Sequence, residues 1–233
     1  MPRAAAACLL WLGTLAGTPA FAQLAAPDPP GPYVIDVRGA TSAIPQNAGF
    51  FPPVPSATLI PSRGYGIDVG AHVYLMQLGS GRLGIGANLV RVRGTASPAA
   101  PSTGSPPATP AAAVRPDVHA VLTTLAPQLS YNFGSEEGWS YVSAGLGRAQ
   151  LTTGTSRFVG AESDNGETPA RSAASGARSS INIGGGARWF TKTHLAFSFD
   201  VRFHLISSGA AEGTTVVTPR TTLVAASAGI SLK

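Results

Sequence analysis

Between Ile181 and Gly209 the chain carries two alternating runs, one of them unbroken from Leu195 to Leu205. Leu195, Phe197, Phe199, Val201, Phe203 and Leu205 occupy every second position, and Ala196, Ser198, Asp200, Arg202 and His204 fill the places between them. A period of two sends successive side chains to opposite faces, so this stretch predicts a strand with one apolar and one polar face. Thr191, Lys192 and Thr193 join it to a second alternating run that ends in Trp189 and Phe190, which predicts a β-hairpin. The strand exceeds the usual five or six residues of a globular sheet. It is long enough to cross a bilayer at a tilt, which takes roughly 9–11 residues.

The same pattern recurs along the chain. Tyr33–Thr41 sets Tyr33, Ile35 and Val37 against Val34, Asp36 and Arg38. A hairpin follows, with Ile67, Val69, Ala71, Val73 and Leu75 on one face of its first strand and Leu83, Ile85, Ala87 and Leu89 on one face of its second. His119–Phe133 and Trp139–Thr153 form the next pair, and Arg220–Lys233 the last strand, with Val224, Ala226, Ala228, Ile230 and Leu232 on its apolar side. Gly79–Gly81, Ser135–Gly138 and Thr191–Thr193 are short turns; Ser42–Arg63, Thr95–Pro116, Gly154–Arg178 and Ala210–Pro219 are long loops. An even strand count, with tight turns at one end and long loops at the other, is the layout of bacterial outer-membrane barrels. The expected fold is all-β: an eight-stranded antiparallel up-and-down transmembrane β-barrel, its short turns periplasmic and its four long loops extracellular.

Composition sharpens this reading. Charged residues are 12% of the 233, against roughly 25% in an ordinary soluble domain. Hydrophobic residues are 44%, yet after the N-terminus no run approaches the ~18 apolar residues of a membrane helix. Low charge suits a surface that faces lipid. The net charge is +5, but the arginines are scattered singly, without the basic stripe of a nucleic-acid binder. Anionic small molecules and anionic lipid surfaces remain as partners. Arg3, the apolar run from Ala4 to Gly17 and the small-residue pattern Ala20-Phe21-Ala22 predict a signal peptide over 1–22, cleaved after Ala22. A proline-rich leader, 23–32, precedes a single barrel domain, 33–233. Its Ala/Pro/Ser/Thr tract at 95–116 has too little apolar surface to order itself. The only cysteine is Cys8, inside the expected signal peptide, so cysteine chemistry is excluded from the rest.

Pro127–Phe133 (PQLSYNF), Gly184–Phe190 (GGGARWF) and Leu195–His204, set within this strand layout, resemble the small eight-stranded outer-membrane β-barrel family of OmpA transmembrane domains and OmpX-like proteins. The resemblance spans Tyr33–Lys233 in architecture and implies export to the outer membrane, with the barrel-assembly machinery as a partner. Members usually end in an aromatic residue that this machinery recognises, whereas here the last residues are Ile230-Ser231-Leu232-Lys233.

The polar faces collect Asp36, Arg38, Asp68, His72, Arg188, Asp200, Arg202 and His204. Eight strands leave an interior filled mainly by side chains, so charges confined there are expected to pair. Glycines among them, Gly184 to Gly186 included, are expected to leave room for bulky Arg and Tyr side chains rather than to cradle a phosphate. Counting outward from the short turns, Tyr131, Phe133, Trp139, Tyr141, Trp189 and Phe190 form a periplasmic aromatic girdle. Arg91, Arg93 and Arg148 form a basic outer rim, suited to lipopolysaccharide. Two lumen histidines without cysteine make a poor zinc set. No serine stands beside either as a nucleophile, and Asp164-Asn165-Gly166 reads as a turn rather than a calcium loop. The expected function is therefore non-enzymatic, envelope-structural or surface-interacting, with no cofactor and a lumen plugged by paired charges. Two alternatives stay open: a narrow small-solute channel, and a secreted lipocalin-like barrel with its apolar faces turned inward.

Overall fold

A computed structural model describes residues 31–47, 60–97, 117–135, 138–155, 158–159, 167–168, 172–209 and 219–233. The expected signal peptide, all but the end of the leader and most of the 95–116 tract lie outside them. Eight long strands account for most of what is described: β1 (Tyr33–Ala43), β2 (Arg63–Leu78), β3 (Gly81–Ala96), β4 (Val118–Ser135), β5 (Gly138–Thr155), β6 (Arg178–Lys192), β7 (Leu195–Ile206) and β8 (Thr221–Leu232). Each pairs antiparallel with its sequence neighbours, and β1 also pairs with β8, from Ile35–Leu232 to Ser42–Ala225. The sheet is a closed, up-and-down, eight-stranded barrel.

The strand ends run further than alternation alone indicated. β3 extends through Thr95 and Ala96, and β4 and β5 are 18 residues each. The loop after β5 is not irregular throughout: Ser172–Ala174 adds to the upper edge of β5, and Phe158–Val159 pairs with Glu167–Thr168. Pro127 sits within β4 at the cost of one local break. Its ladder to β5 lapses between the pairs Leu125–Arg148 and Gln128–Gly145, as expected where proline removes a donor. At the short-turn end Gly79 adopts φ +59° and Gly134 φ +128°, the left-handed region that these tight reversals use.

The barrel is inside out relative to a soluble protein. Leu146 is 70% exposed and Phe197 62%, whereas Asp36 and Arg188 are both 0% exposed. Outward positions carry Ile35, Ile67, Val73, Ile85, Leu129, Val142, Ile183 and Phe199; inward positions carry Asp68, Asn88, Gln128, Asn182 and Asp200. Towards the long loops this polarity reverses. On β3 the outward series Leu83, Ile85, Ala87, Leu89 gives way to Arg91 and Arg93, while the inward series changes from Gly86 and Asn88 to Val90 and Val92. On β5, Val142, Ala144 and Leu146 give way outside to Arg148, Gln150 and Thr152, and Ala149 and Leu151 turn in. The upper part of the wall thus has an apolar interior of its own, formed by Ile44, Val92, Val118, Leu122, Leu151, Ile206 and Leu223.

Candidate functional site

Asp36, Arg38, Asp68, His72, Arg188, Asp200, Arg202 and His204 all lie in the lumen, each 2% exposed or less. They come from β1, β2, β6 and β7, which the β1–β8 closure brings to one side. Three carboxylates meet three guanidiniums. Arg188 grips Asp36 with a fork, Nε to Oδ1 at 2.8 Å and Nη2 to Oδ2 at 2.7 Å. Arg202 does the same to Asp200, at 3.2 and 2.8 Å, and donates to Ser143 at 3.1 Å. Arg38 donates to Asp68 at 3.1 Å and approaches Asp36 at 3.7 Å. The remaining carboxylate lone pairs accept from neutral neighbours: Ser227 and Asn88 donate to Asp68, and Ser231 donates to Asp36. Bidentate, charge-assisted bonds of this kind are what a buried ion needs, since removing one partner of a buried pair costs roughly 3–5 kcal/mol.

Tyr141 links the two halves of this network. It accepts from Arg38 at 2.9 Å and donates to Asp200 at 2.6 Å, while the Arg188 guanidinium lies 4.0 Å from its ring centre. A second chain runs from His72 to Gln128 (3.1 Å) and from Gln128 to Asn182 (3.1 Å). Among the described residues neither ring nitrogen of His204 has a hydrogen-bond partner. The inward glycines are the sockets for these large side chains. An added Cβ would stand 2.4 Å from His72 at Gly86, 2.8 Å from the Tyr141 hydroxyl at Gly186 and 3.1 Å from the Arg202 side chain at Gly184.

Apolar clusters flank the polar layer above and below. Above lies the apolar cluster of Ile44, Leu122, Leu151 and their neighbours. Below, Val34, Tyr74 and Trp139 form a second cluster against which Phe190 packs. The Trp139 and Phe190 rings are 4.7 Å apart, and the Lys233 ammonium lies over both, 5.0 and 4.1 Å from their centres.

That lower layer corrects the expected girdle. Tyr131, Phe133 and Trp189 are on the outer face, with Tyr131 and Phe133 stacked at 5.9 Å. Trp139 and Tyr141 are 1% and 2% exposed, inside the barrel. Their odd numbers put them in phase with Ser143, opposite Val142, so nearness to a turn did not place them on the outside. Phe190 also faces in, because Trp189 beside it faces out and Ala196, its partner across the hairpin, is buried. Two features had no clear trace in the sequence: the role of Tyr141 as a bridge and the apolar layers above and below the charges. Arg91, Arg93 and Arg148 project outward near the long-loop end. Among the described residues no group of three His, Cys, Asp or Glu is placed to hold a metal.

No protein-family model matches this chain, and none of the curated proteins does. Solved structures do. Ail, the attachment invasion locus protein of Yersinia pestis, aligns at 10% identity and TM-score 0.47 over 86% of this chain and 96% of its own. Neisserial surface protein A aligns at 13% and 0.48 over 87% and 97%. The outer membrane protease OmpT from Escherichia coli aligns at 9% and 0.40 over 74% and 64%. The ring of eight consecutively paired antiparallel strands is the fold of the small outer-membrane barrels. At these identities the likeness carries nothing about activity or ligand.

Proposed function

We infer that this is an outer-membrane barrel protein without enzymatic activity, a sealed transmembrane scaffold whose long loops and outer rim meet the cell's surroundings. One observation carries this reading: the inversion of polarity, with a paired ionic network buried in the lumen and an apolar belt left on the outside. In water that belt would be a large exposed apolar surface, which soluble monomers avoid. In a bilayer it is the face a barrel needs, and closure leaves no sheet edge with unsatisfied backbone groups. A lipocalin-like reading requires the opposite, an apolar cavity lined by inward side chains.

A channel reading is disfavoured by two apolar layers that bracket the charges. A protease or hydrolase is disfavoured because, among the described residues, His72 is bonded to Gln128 and the His204 ring to no nucleophile. Lipid, including lipopolysaccharide at the arginine rim, and the barrel-assembly machinery are the partners this reading implies. Fractionation tests it first: the protein is expected in the detergent-soluble outer membrane, and recovery in the aqueous periplasm or medium would sink it. In planar bilayers the purified protein is expected to stay electrically silent, and steady unit conductance would replace the plug with a pore.

A further inference from the structure

A second site lies on the outer wall, where β5, β6, β7 and β8 run side by side. The ladder registers align Leu146 with Ile181 and Ile181 with Leu205, giving one apolar row across three strands. One step towards the long loops, Arg148 is opposite Ser179, and the Ser207 amide and hydroxyl both bond the Ser179 carbonyl, at 3.0 and 3.1 Å. Thr221 pairs with Ile206, so Arg220 comes level with Ser207 at the far end of the same row. The order across the wall is therefore Arg, Ser, Ser, Arg, directly above Leu, Ile, Leu. These residues line a groove of about 570 Å³. Three strand spacings of ~4.8 Å put the two arginine backbones about 14 Å apart, close enough for two long side chains to converge above the serines. Among the described residues neither guanidinium is paired with a carboxylate.

We propose that this groove binds one phosphate-bearing acyl lipid of the surrounding leaflet, with Arg148 and Arg220 clamping the phosphate and the Leu146–Ile181–Leu205 row holding the acyl chain. The site rests on the transmembrane reading and specifies its lipid partner. Two guanidiniums at a membrane boundary match an anionic headgroup in charge and in hydrogen-bond geometry. Between them the Ser207 hydroxyl is already donated to the Ser179 carbonyl, so the Ser179 hydroxyl is the serine donor on offer, and both small side chains leave a gap that a bulkier residue would fill. The apolar row beneath continues into Ile183 and Phe203, so a chain leaving the phosphate meets hydrocarbon-like surface all the way down.

The test uses the full barrel in phosphatidylcholine nanodiscs containing a minor fraction of lipid A, followed by gentle extraction and native mass spectrometry. The wild-type protein is expected to retain lipid A. The pair Arg148→Gln/Arg220→Gln is expected to retain about tenfold less, the loss of two charge-assisted contacts. The pair Arg63→Gln/Lys192→Gln removes equal exposed charge outside the groove and is expected to retain it as wild type does. Equal losses from both pairs, or none from the first, overturn the site. Ile181→Ser, which removes part of the apolar floor alone, is expected to weaken retention as well. If inorganic phosphate at the same concentration displaces lipid A completely, the groove is a bare anion site and the lipid assignment falls. Insertion is read separately by protection from protease. A wild-type chain that never enters the discs refutes the transmembrane reading, whereas an inserted chain that holds no lipid A refutes only this site.

Discussion

Tyr141 accepts from Arg38 and donates to Asp200 while Arg188 covers its ring, so one hydroxyl serves two buried ions. Tyr141→Phe keeps the ring and the contact with Arg188 but leaves Arg38 and Asp200 each short of a partner. Hydrogen bonds to charged groups contribute about 1.5–3 kcal/mol each. The substitution is expected to destabilise the barrel by roughly that amount or somewhat more, read from the urea midpoint of the protein refolded in lipid vesicles. Glycines give a sharper contrast. A Cβ at Gly186 would stand 2.1 Å from the Phe199 carbonyl oxygen, whereas one at Gly39 meets nothing nearer than 3.8 Å. Gly186→Ala is expected to lower the same midpoint clearly, and Gly39→Ala to leave it within the ~0.5 kcal/mol typical of a surface change. At this scale the face of each residue was legible, because parity along a strand settles it. The identity of its partners was not. Asp36 meets Arg188 across 152 positions of sequence, and nothing local in either segment records the meeting. Trp139 and Phe190 were misread where distance from the turn was weighed without parity.

At the scale of the strand, the reversal of polarity on β3, β4 and β5 marks where the wall leaves one solvent for another. Below it the outward side chains are Ile85, Leu129 and Ala144; above it they are Arg91, Thr123 and Gln150. The first outward arginine on β5 is Arg148, one outward step above Leu146. Residues 23–233 contain no cysteine, so single cysteines can be placed along β5 without background. A membrane-impermeant maleimide is expected to label cysteines at Arg148, Gln150 and Thr152 in intact proteoliposomes, and to miss those at Val142, Ala144 and Leu146. Labelling that continues evenly down the strand would remove the boundary. The lower half of this pattern was legible as plain alternation. The upper half was legible only in part: Arg91 and Arg93 marked a basic outer rim, but the inward turn of Val90 and Val92 beside them carried no such mark. They are the core of a short water-exposed extension, in which apolar residues turn inward as in any soluble sheet.

At the scale of the molecule, the charges do more than fill space. Ser231 and Ser227, both on β8, donate to Asp36 on β1 and Asp68 on β2. Arg188 on β6 reaches Asp36 from beyond β8 and β7, on the same side of the barrel. The network therefore spans the junction between the first and last strands. Asp36→Asn would leave Arg188 with a neutral partner, which is expected to cost roughly 3–5 kcal/mol. Pairing Asp36→Leu with Arg188→Met removes both charges and is expected to recover most of that loss, since buried ion pairs can be replaced by apolar side chains at little net cost. A double-mutant cycle on unfolding free energies checks both statements. The closed ring itself was legible from strand count and loop alternation. The location of the seam's reinforcement was not, because it depends on which lumen side chains reach across.

The ladder between β1 and β8 has a kinetic meaning as well. It is formed by an 11-residue strand and a 12-residue strand at opposite ends of the domain, whereas β4 and β5, 18 residues each, need only a hairpin turn to meet. Contacts between distant segments carry the greatest chain-closure entropy and form slowest. The ring should therefore zip from its tall hairpins and join last at its shortest edge. Until that edge joins, Asp36 and Asp68 have lost their serine donors and lie beside an open slot in the wall. The final strand pairing and the final dehydration of the carboxylates become a single event. A mechanical pull on the two termini would undo that event first.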